Sequence, residues 1–235
     1  MSDIKVLSST AMKTSMDVLM PQFEQASGHK VSFSYGPSPR MAKQVADGEA
    51  NDVAIVTDKA VDDLIKQGRI VPGTRADIAH SAMALAVQQG APRPDISTPE
   101  KFKQTMLAAQ SLGMSNPVGG GVSGGILIGI FEQLGIAEQM KPKLTFGAGG
   151  PAGLIGFLLV RNEVEVGIQQ MPELMAVPGI DIIGKLPFGM RTVSVFSAGL
   201  STGASDATAA RALIAFLTTP QAKTAIRSMG MEVPQ

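Results

Sequence analysis

The first seventy residues alternate short β-rich runs with helical apolar spacing, and no other feature constrains the fold as much. Ile4–Ser8 reads as a strand. Lys13 to Ala26 places Met16, Leu19, Met20 and Phe23 on one helical face, and Gly28 follows as a stop. Lys30 to Tyr35 puts Val31, Phe33 and Tyr35 on one side of an extended run. A short helix over Arg40–Asp47, a buried strand over Asp52–Val56 and a helix over Lys59–Gln67 complete a βαβαβα series. Such a series implies a parallel sheet covered by helices on both faces.

Ile78 to Gln88 is a longer extended run, followed by a connection marked by Pro92, Pro94 and Pro99. Ser97-Thr98-Pro99-Glu100 looks like a helix start with Ser97 as N-cap. A second series runs through a helix to Ala109, a strand at Leu112–Ser115 and a helix at Val122–Leu134. It continues with a strand at Leu144–Phe146, a helix at Ala152–Arg161, a strand at Val164–Gln169 and a short strand at Asp181–Gly184. Arg191–Ser197 is extended again, and helices over Asp206–Leu217 and Pro220–Met229 end the chain. The pattern predicts an α/β protein of two lobes, each a sheet covered by helices. Lobe 1 is expected to comprise 1-82 plus 190-235, and lobe 2, inserted, 83-189. Two hinge crossovers, with His80 opening the first, are expected to flank a ligand cleft.

Composition removes several function classes. Lys+Arg and Asp+Glu both number 20, so no net field draws in nucleic acid or a membrane surface. With one Tyr, no Trp and nine Phe, base-stacking platforms are not expected. The absence of cysteine excludes thiolate catalysis, Cys-based zinc sites and disulfides. The longest apolar run, Gly124 to Phe131, falls short of a membrane span. Met1-Ser2-Asp3 leads straight into Ile4-Lys5-Val6-Leu7 without the features of a leader. The expected location is periplasmic if a signal peptide was removed and otherwise cytoplasmic.

Candidate chemistry sits in strand-to-helix turns rich in Ser, Thr and Gly: Ser8–Ala11, Gly36–Pro39, Val118–Gly125 and Gly147–Gly153. Ligands of open α/β sheets lie beyond the carboxyl ends of the strands. A helix start there offers free N–H groups and the positive end of a dipole, which suit an anion without any lysine. The same residues also serve as ordinary caps. Gly119-Gly120-Gly121-Val122-Ser123-Gly124-Gly125 lacks the Lys-Ser/Thr of a phosphate-binding P-loop, and Pro151 interrupts the dinucleotide pattern at Gly147-Ala148-Gly149-Gly150. His29 reads as a solvated turn residue. Two histidines without paired spacing make a metal site unexpected, and no nucleophile elbow occurs. No cofactor is implied. Met12, Met16, Met20 and Met41 fall on helical faces, where core filling explains them.

Ile4-Lys5-Val6-Leu7-Ser8-Ser9-Thr10-Ala11-Met12, Phe23 to Val31, Tyr35-Gly36-Pro37-Ser38, Ala42 to Gly48 and Asn51 to Val56 carry a family resemblance. Ser123-Gly124-Gly125, Leu159 to Glu163, Val166-Gly167-Ile168 and Gly184 to Pro187 continue it more loosely. Over nearly its whole length the chain resembles the periplasmic molybdate-binding solute receptors of ABC transporters, which implies a type II periplasmic-binding-protein fold. The resemblance implies a monomer that closes on a small anion and hands it to an ABC permease, with no nucleic-acid partner and no membrane insertion. Ser38 matches a ligand serine, and Ser123, beside Gly124, and Ala152 match positions that contribute backbone N–H groups. A family ligand serine falls at Ala11, with Ser9 and Thr10 adjacent as substitutes, and a family tyrosine falls at Gln170, beside Gln169. Arg40 stands at the start of the following helix, either as a fork for a carboxylate or as a solvated side chain. These departures lean toward an organic carboxylate over molybdate. The chain also resembles an aconitate-isomerase-like branch of the same fold, which implies the alternative of an enzyme interconverting cis- and trans-aconitate. The sequence does not single out a catalytic base.

Overall fold

The computed structural model describes residues 2–118 and 121–234. The chain divides into two compact units, Met1–Ser81 with Ser194–Gln235, and Ala82–Val193. In chain order the elements are β1 (Asp3–Ser9), α1 (Lys13–Ser27), β2 (Lys30–Gly36), α2 (Ser38–Asp47), β3 (Val53–Thr57), α3 (Asp58–Lys66), β4 (Ala76–Gln88), α4 (Pro99–Ala108) and β5 (Leu112–Ser115). They continue with α5 (Val122–Gln133), α6 (Ala137–Met140), β6 (Leu144–Gly147), α7 (Ile155–Val160), β7 (Val166–Gln170), α8 (Met171–Met175), β8 (Ile180–Lys185), β9 (Val193–Leu200), α9 (Ala207–Leu217) and α10 (Pro220–Ser228).

In the first unit the strands run in the order β2-β1-β3-β9. β1 pairs in parallel with β2 and β3, and β9 is antiparallel to β3. Val53 to Val56 are fully buried, as a central strand between two helical layers requires. Alternation along the strands divides the core. Val6, Val53 and Ile55 pack with Met16, Leu19 and Phe23 of α1 and with Leu213 and Ile226 of the C-terminal helices. Leu7, Ala54 and Val56 face Met41, Val45, Val61 and Leu64 of α2 and α3. The four apolar residues read from the α1 spacing are all buried, each worth roughly 1.5–3 kcal/mol relative to exposure. Gly28, at φ 73°, closes that helix by donating its N–H to the Glu24 carbonyl at 2.9 Å. A side chain there would be strained in the left-handed region.

In the second unit the order is β4-β7-β5-β6, with β8 also paired to β4. β4 runs antiparallel to β7 and β8, whereas β5 is parallel to both β6 and β7. Leu85, Met114 and Ile168 pack against Phe102 of α4 and Leu127 and Phe131 of α5. Ala84 and Ala86 pack with Ile155, Leu159 and Leu174. Among the described residues no helix is long and apolar enough to cross a membrane.

The structure corrects several local readings. Thr98, rather than Ser97, caps α4, its hydroxyl accepting the Lys101 N–H at 3.2 Å. Ala152 lies in a 3-10 turn, Pro151–Gly153, ahead of α7 instead of beginning one longer helix. His29 is half-buried: it packs on Phe23, and its Nδ1 accepts the Ser2 N–H at 3.2 Å.

Asp52 fastens the start of β3 to two distant segments. Its carboxylate accepts the Lys5 N–H at 2.7 Å, and the Ser205 N–H and hydroxyl at 2.6 and 2.8 Å. With Asp52 only 3% exposed, water cannot replace these bonds. Asp52→Ala should therefore cost about 3 kcal/mol or more, because three donors lose one acceptor, and Asp52→Asn should cost less. Urea unfolding checks this, and an unchanged midpoint for the alanine variant contradicts it.

Candidate functional site

Parallel pairing aligns the carboxyl ends of the strands within each unit. In the first, Ser9 of β1 stands opposite Gly36 of β2, and Ser8 opposite Ile55 of β3. The turns into α1, α2 and α3 therefore lie along one sheet edge. None of these helix starts carries a side-chain cap from its N-cap residue, nor does that of α5. Elsewhere Thr98, Asp206 and Thr219 cap α4, α9 and α10 with their own side chains, whereas α6, which follows α5, has no such cap. The starts of α1, α2, α3 and α5 thus leave N–H groups without an N-cap side chain at the carboxyl ends of parallel strands.

Ser9, Thr10 and Ala11 are all buried at the first of these turns. Thr10 is 7% exposed, and its hydroxyl oxygen has no hydrogen-bond partner among the described residues. A buried hydroxyl left in this way is costly unless a ligand or water meets it. Ser38, also buried, accepts the Thr57 N–H through its hydroxyl oxygen at 2.8 Å, which leaves its own proton to donate. Arg40 is exposed and donates from Nη2 to the Tyr35 carbonyl at 3.3 Å. A β-carbon at Gly36 would come within 2.5 Å of that Nη2, so glycine lets the guanidinium fold over the end of β2.

In the second unit Ser115 of β5 stands opposite Gly147 of β6, and Met114 opposite Ile168 of β7. Ser123, Ala152 and Gln170 accordingly fall at one edge of that sheet. Ser123 is buried and donates its hydroxyl to the Ser115 Oγ at 3.0 Å. A β-carbon at Gly124 would approach the Ser115 carbonyl to 2.1 Å, so α5 packs against β5 at a distance only glycine allows. Gly119 and Gly120 of this turn lie outside the described residues. Gln169, buried, supplies its amide oxygen to the Ile155 N–H at 2.8 Å and so serves the start of α7. Gln170 is buried at the end of β7, whereas Ala152 is exposed. His80, half-buried and one residue before Ser81, exchanges two backbone hydrogen bonds with Glu232, at 2.7 and 2.9 Å. No cluster of metal-ligating side chains occurs among the described residues.

Sequence reasoning missed Glu173. It is half-buried in the first turn of α8, and its carboxylate accepts the Gln170 N–H. Burial pushes its pKa up from 4.5 to about 7, against the lowering effect of that N–H. The available signal was Glu three residues after the helix-start position, with Pro172 between them, which is half of a capping box.

The family described as bacterial extracellular solute-binding protein matches residues 4–232. The chain belongs to that family. An aconitate isomerase from Pseudomonas sp is 32% identical to this solute-binding protein over 234 residues, covering 97% of the chain and 87% of the relative. The molybdate-binding protein ModA of Azotobacter vinelandii is 25% identical over 236 residues, covering 97% and 89%. Among solved structures, the Azotobacter vinelandii periplasmic molybdate-binding protein superimposes with a TM-score of 0.82 at 19% identity, over 99% of this chain and all of that one. The type II periplasmic-binding-protein fold expected from the sequence is therefore the fold of the chain.

The raised Glu173 pKa sets a pH dependence of stability. The folded chain holds this proton more tightly than the unfolded chain, so ionisation works against folding. The stabilising effect is complete below about pH 4.5 and is lost as pH rises through about 7. Glu173→Gln carries no such charge. The stability of the parent relative to this variant should fall across that window in urea titrations, and a difference that stays flat between about pH 4 and about pH 8 contradicts it.

Proposed function

We propose that this solute-binding protein takes a small organic polycarboxylate and passes it to an ABC-type permease outside the cytoplasm. The buried, unpartnered Thr10 hydroxyl among uncapped helix starts is the observation that carries this reading. The candidate donors at the sheet edge of the first unit are Ser9, Thr10, the backbone at Ala11, Ser38 and Arg40. The second unit offers, at its own sheet edge, Ser123 and the backbone at Gly124 and Ala152, with the Gln170 amide. All but Arg40 are neutral, so selectivity rests on where donors point rather than on net charge. Arg40 and the amide at Gln170 suit the planar oxygens of a carboxylate better than a compact tetrahedral oxyanion. The greater similarity to an aconitate isomerase than to ModA, 32% against 25%, supports a tricarboxylate.

That same relative favours one second reading, in which the bound tricarboxylate is isomerised rather than handed on. A proton spectrum of trans-aconitate incubated with the protein distinguishes them, since growth of cis-aconitate signals establishes turnover.

Calorimetry with cis- and trans-aconitate, citrate, molybdate, sulfate and phosphate tests the ligand class. A tricarboxylate should bind, and molybdate binding without any tricarboxylate overturns the proposal. Ser38→Ala should weaken binding by roughly tenfold to a hundredfold, the equivalent of about 1.5–3 kcal/mol for a hydrogen bond to a charged group. Arg40→Gln should lose about tenfold and some salt sensitivity. Parent-like affinity in Arg40→Gln would leave that side chain a solvated helix-start residue and favour a small oxyanion.

A further inference from the structure

We propose that Glu173 is the proton-carrying group of this protein, moving a proton between two carbons of an unsaturated tricarboxylate; this rests on the isomerase reading above. The parallel register of β5 and β7 sets the turn after Gln170 beside the turn that holds Ser115 and Ser123. Glu173 stands in that turn, three residues beyond Gln170 and at the same sheet edge as the candidate donors. It forms none of the salt bridges found among the described residues, and its carboxylate accepts a backbone N–H, that of Gln170. Among the described residues, an acidic residue occurs in the first turn of only one other helix that directly follows a parallel strand, Asp58 at the start of α3. Burial raises the Glu173 pKa from 4.5 toward neutral pH, where a carboxyl group can both take and return a proton.

The step balances without any other reagent. A Glu173 carboxylate oxygen takes a proton from the methylene carbon next to the double bond. The C–H electron pair becomes a new carbon–carbon double bond. The pair of the old double bond moves to its far carbon, which takes the proton back from the Glu173 carboxyl. The double bond has shifted by one position, the carboxylate is regenerated, and nothing is oxidised or reduced. The neutral donors hold the carboxylates while charge spreads onto them.

Glu173 also braces the Gln170 N–H, so a purely structural role must be separated from proton transfer. Glutamine retains an oxygen that accepts this N–H but cannot carry the proton, so Glu173→Gln separates the two. The experiment incubates trans-aconitate in deuterium oxide with the parent, Glu173→Gln and Asp58→Asn. Proton spectra follow the loss of the methylene and vinyl signals, and calorimetry measures affinity for the same acid. Glu173→Gln should keep its affinity within a few-fold and lose deuterium incorporation by about a hundredfold or more. Asp58→Asn should exchange as the parent does. Parent-like exchange in Glu173→Gln, or loss of exchange in Asp58→Asn instead, overturns the assignment. Tight binding with no exchange by the parent overturns the isomerase reading and this role with it, while leaving the receptor reading standing. If Glu173→Gln fails to fold, Glu173→Asp serves, with a shorter carboxylate expected to slow exchange without abolishing it, and unchanged exchange overturning the proposal.

Discussion

Parallel pairing is the constraint from which the rest follows. A parallel strand cannot return by a tight hairpin, so each is followed by a crossover helix, and each helix begins at the same edge of its sheet. In the first unit this collects the starts of α1, α2 and α3, and in the second those of α5 and α7. Every start brings N–H groups that no residue within the helix can satisfy. Anion binding is therefore available to this architecture before any particular side chain is chosen. The side chains decide which anion, and those at these sheet edges are mostly hydroxyls and amides.

The choice has a local cost. α4, α9 and α10 each carry a Thr or Asp cap, whereas α1, α2 and α3 do not. A missing cap costs about 1 kcal/mol. The buried Thr10 hydroxyl adds a further unmet group at the same edge. Cores of Val, Leu, Ile and Met on both faces of each sheet make these losses tolerable, and ligand binding would recover part of them.

The fold was legible because it is written in periodicity. Met16, Leu19, Met20 and Phe23 announced α1, and the alternation through Val31, Phe33 and Tyr35 announced β2. α6 and α8, of four and five residues, are little more than one turn each and offer no period to read, which is why they escaped notice. The choice of Thr98 over Ser97 as cap depends on backbone angles that two adjacent hydroxyl residues do not reveal. Ser38 was visible as a helix-start serine, but its bond to Thr57, nineteen positions away, belongs to the pairing of α2 with the end of β3. Glu173 was hidden for a related reason. Its unusual acidity comes from the protein packed around it, and local sequence carries little trace of that.

The Asp52 clamp also bears on the order in which the molecule can be made. Its partner Ser205 is 153 positions further along the chain. One of the two neighbours of β3, β9, likewise pairs with it through residues that follow the second unit. As the chain leaves the ribosome, residues 82–193 are complete while β3 still has an open edge and the Asp52 carboxylate lacks its later ligands. The inserted unit can close its core first, and the unit that begins the chain must finish last. Pairings this far apart in sequence close slowly, and an unpaired apolar strand invites pairing with other chains. Newly made protein is thus most vulnerable to aggregation in the interval between the emergence of Val56 and that of Ser205.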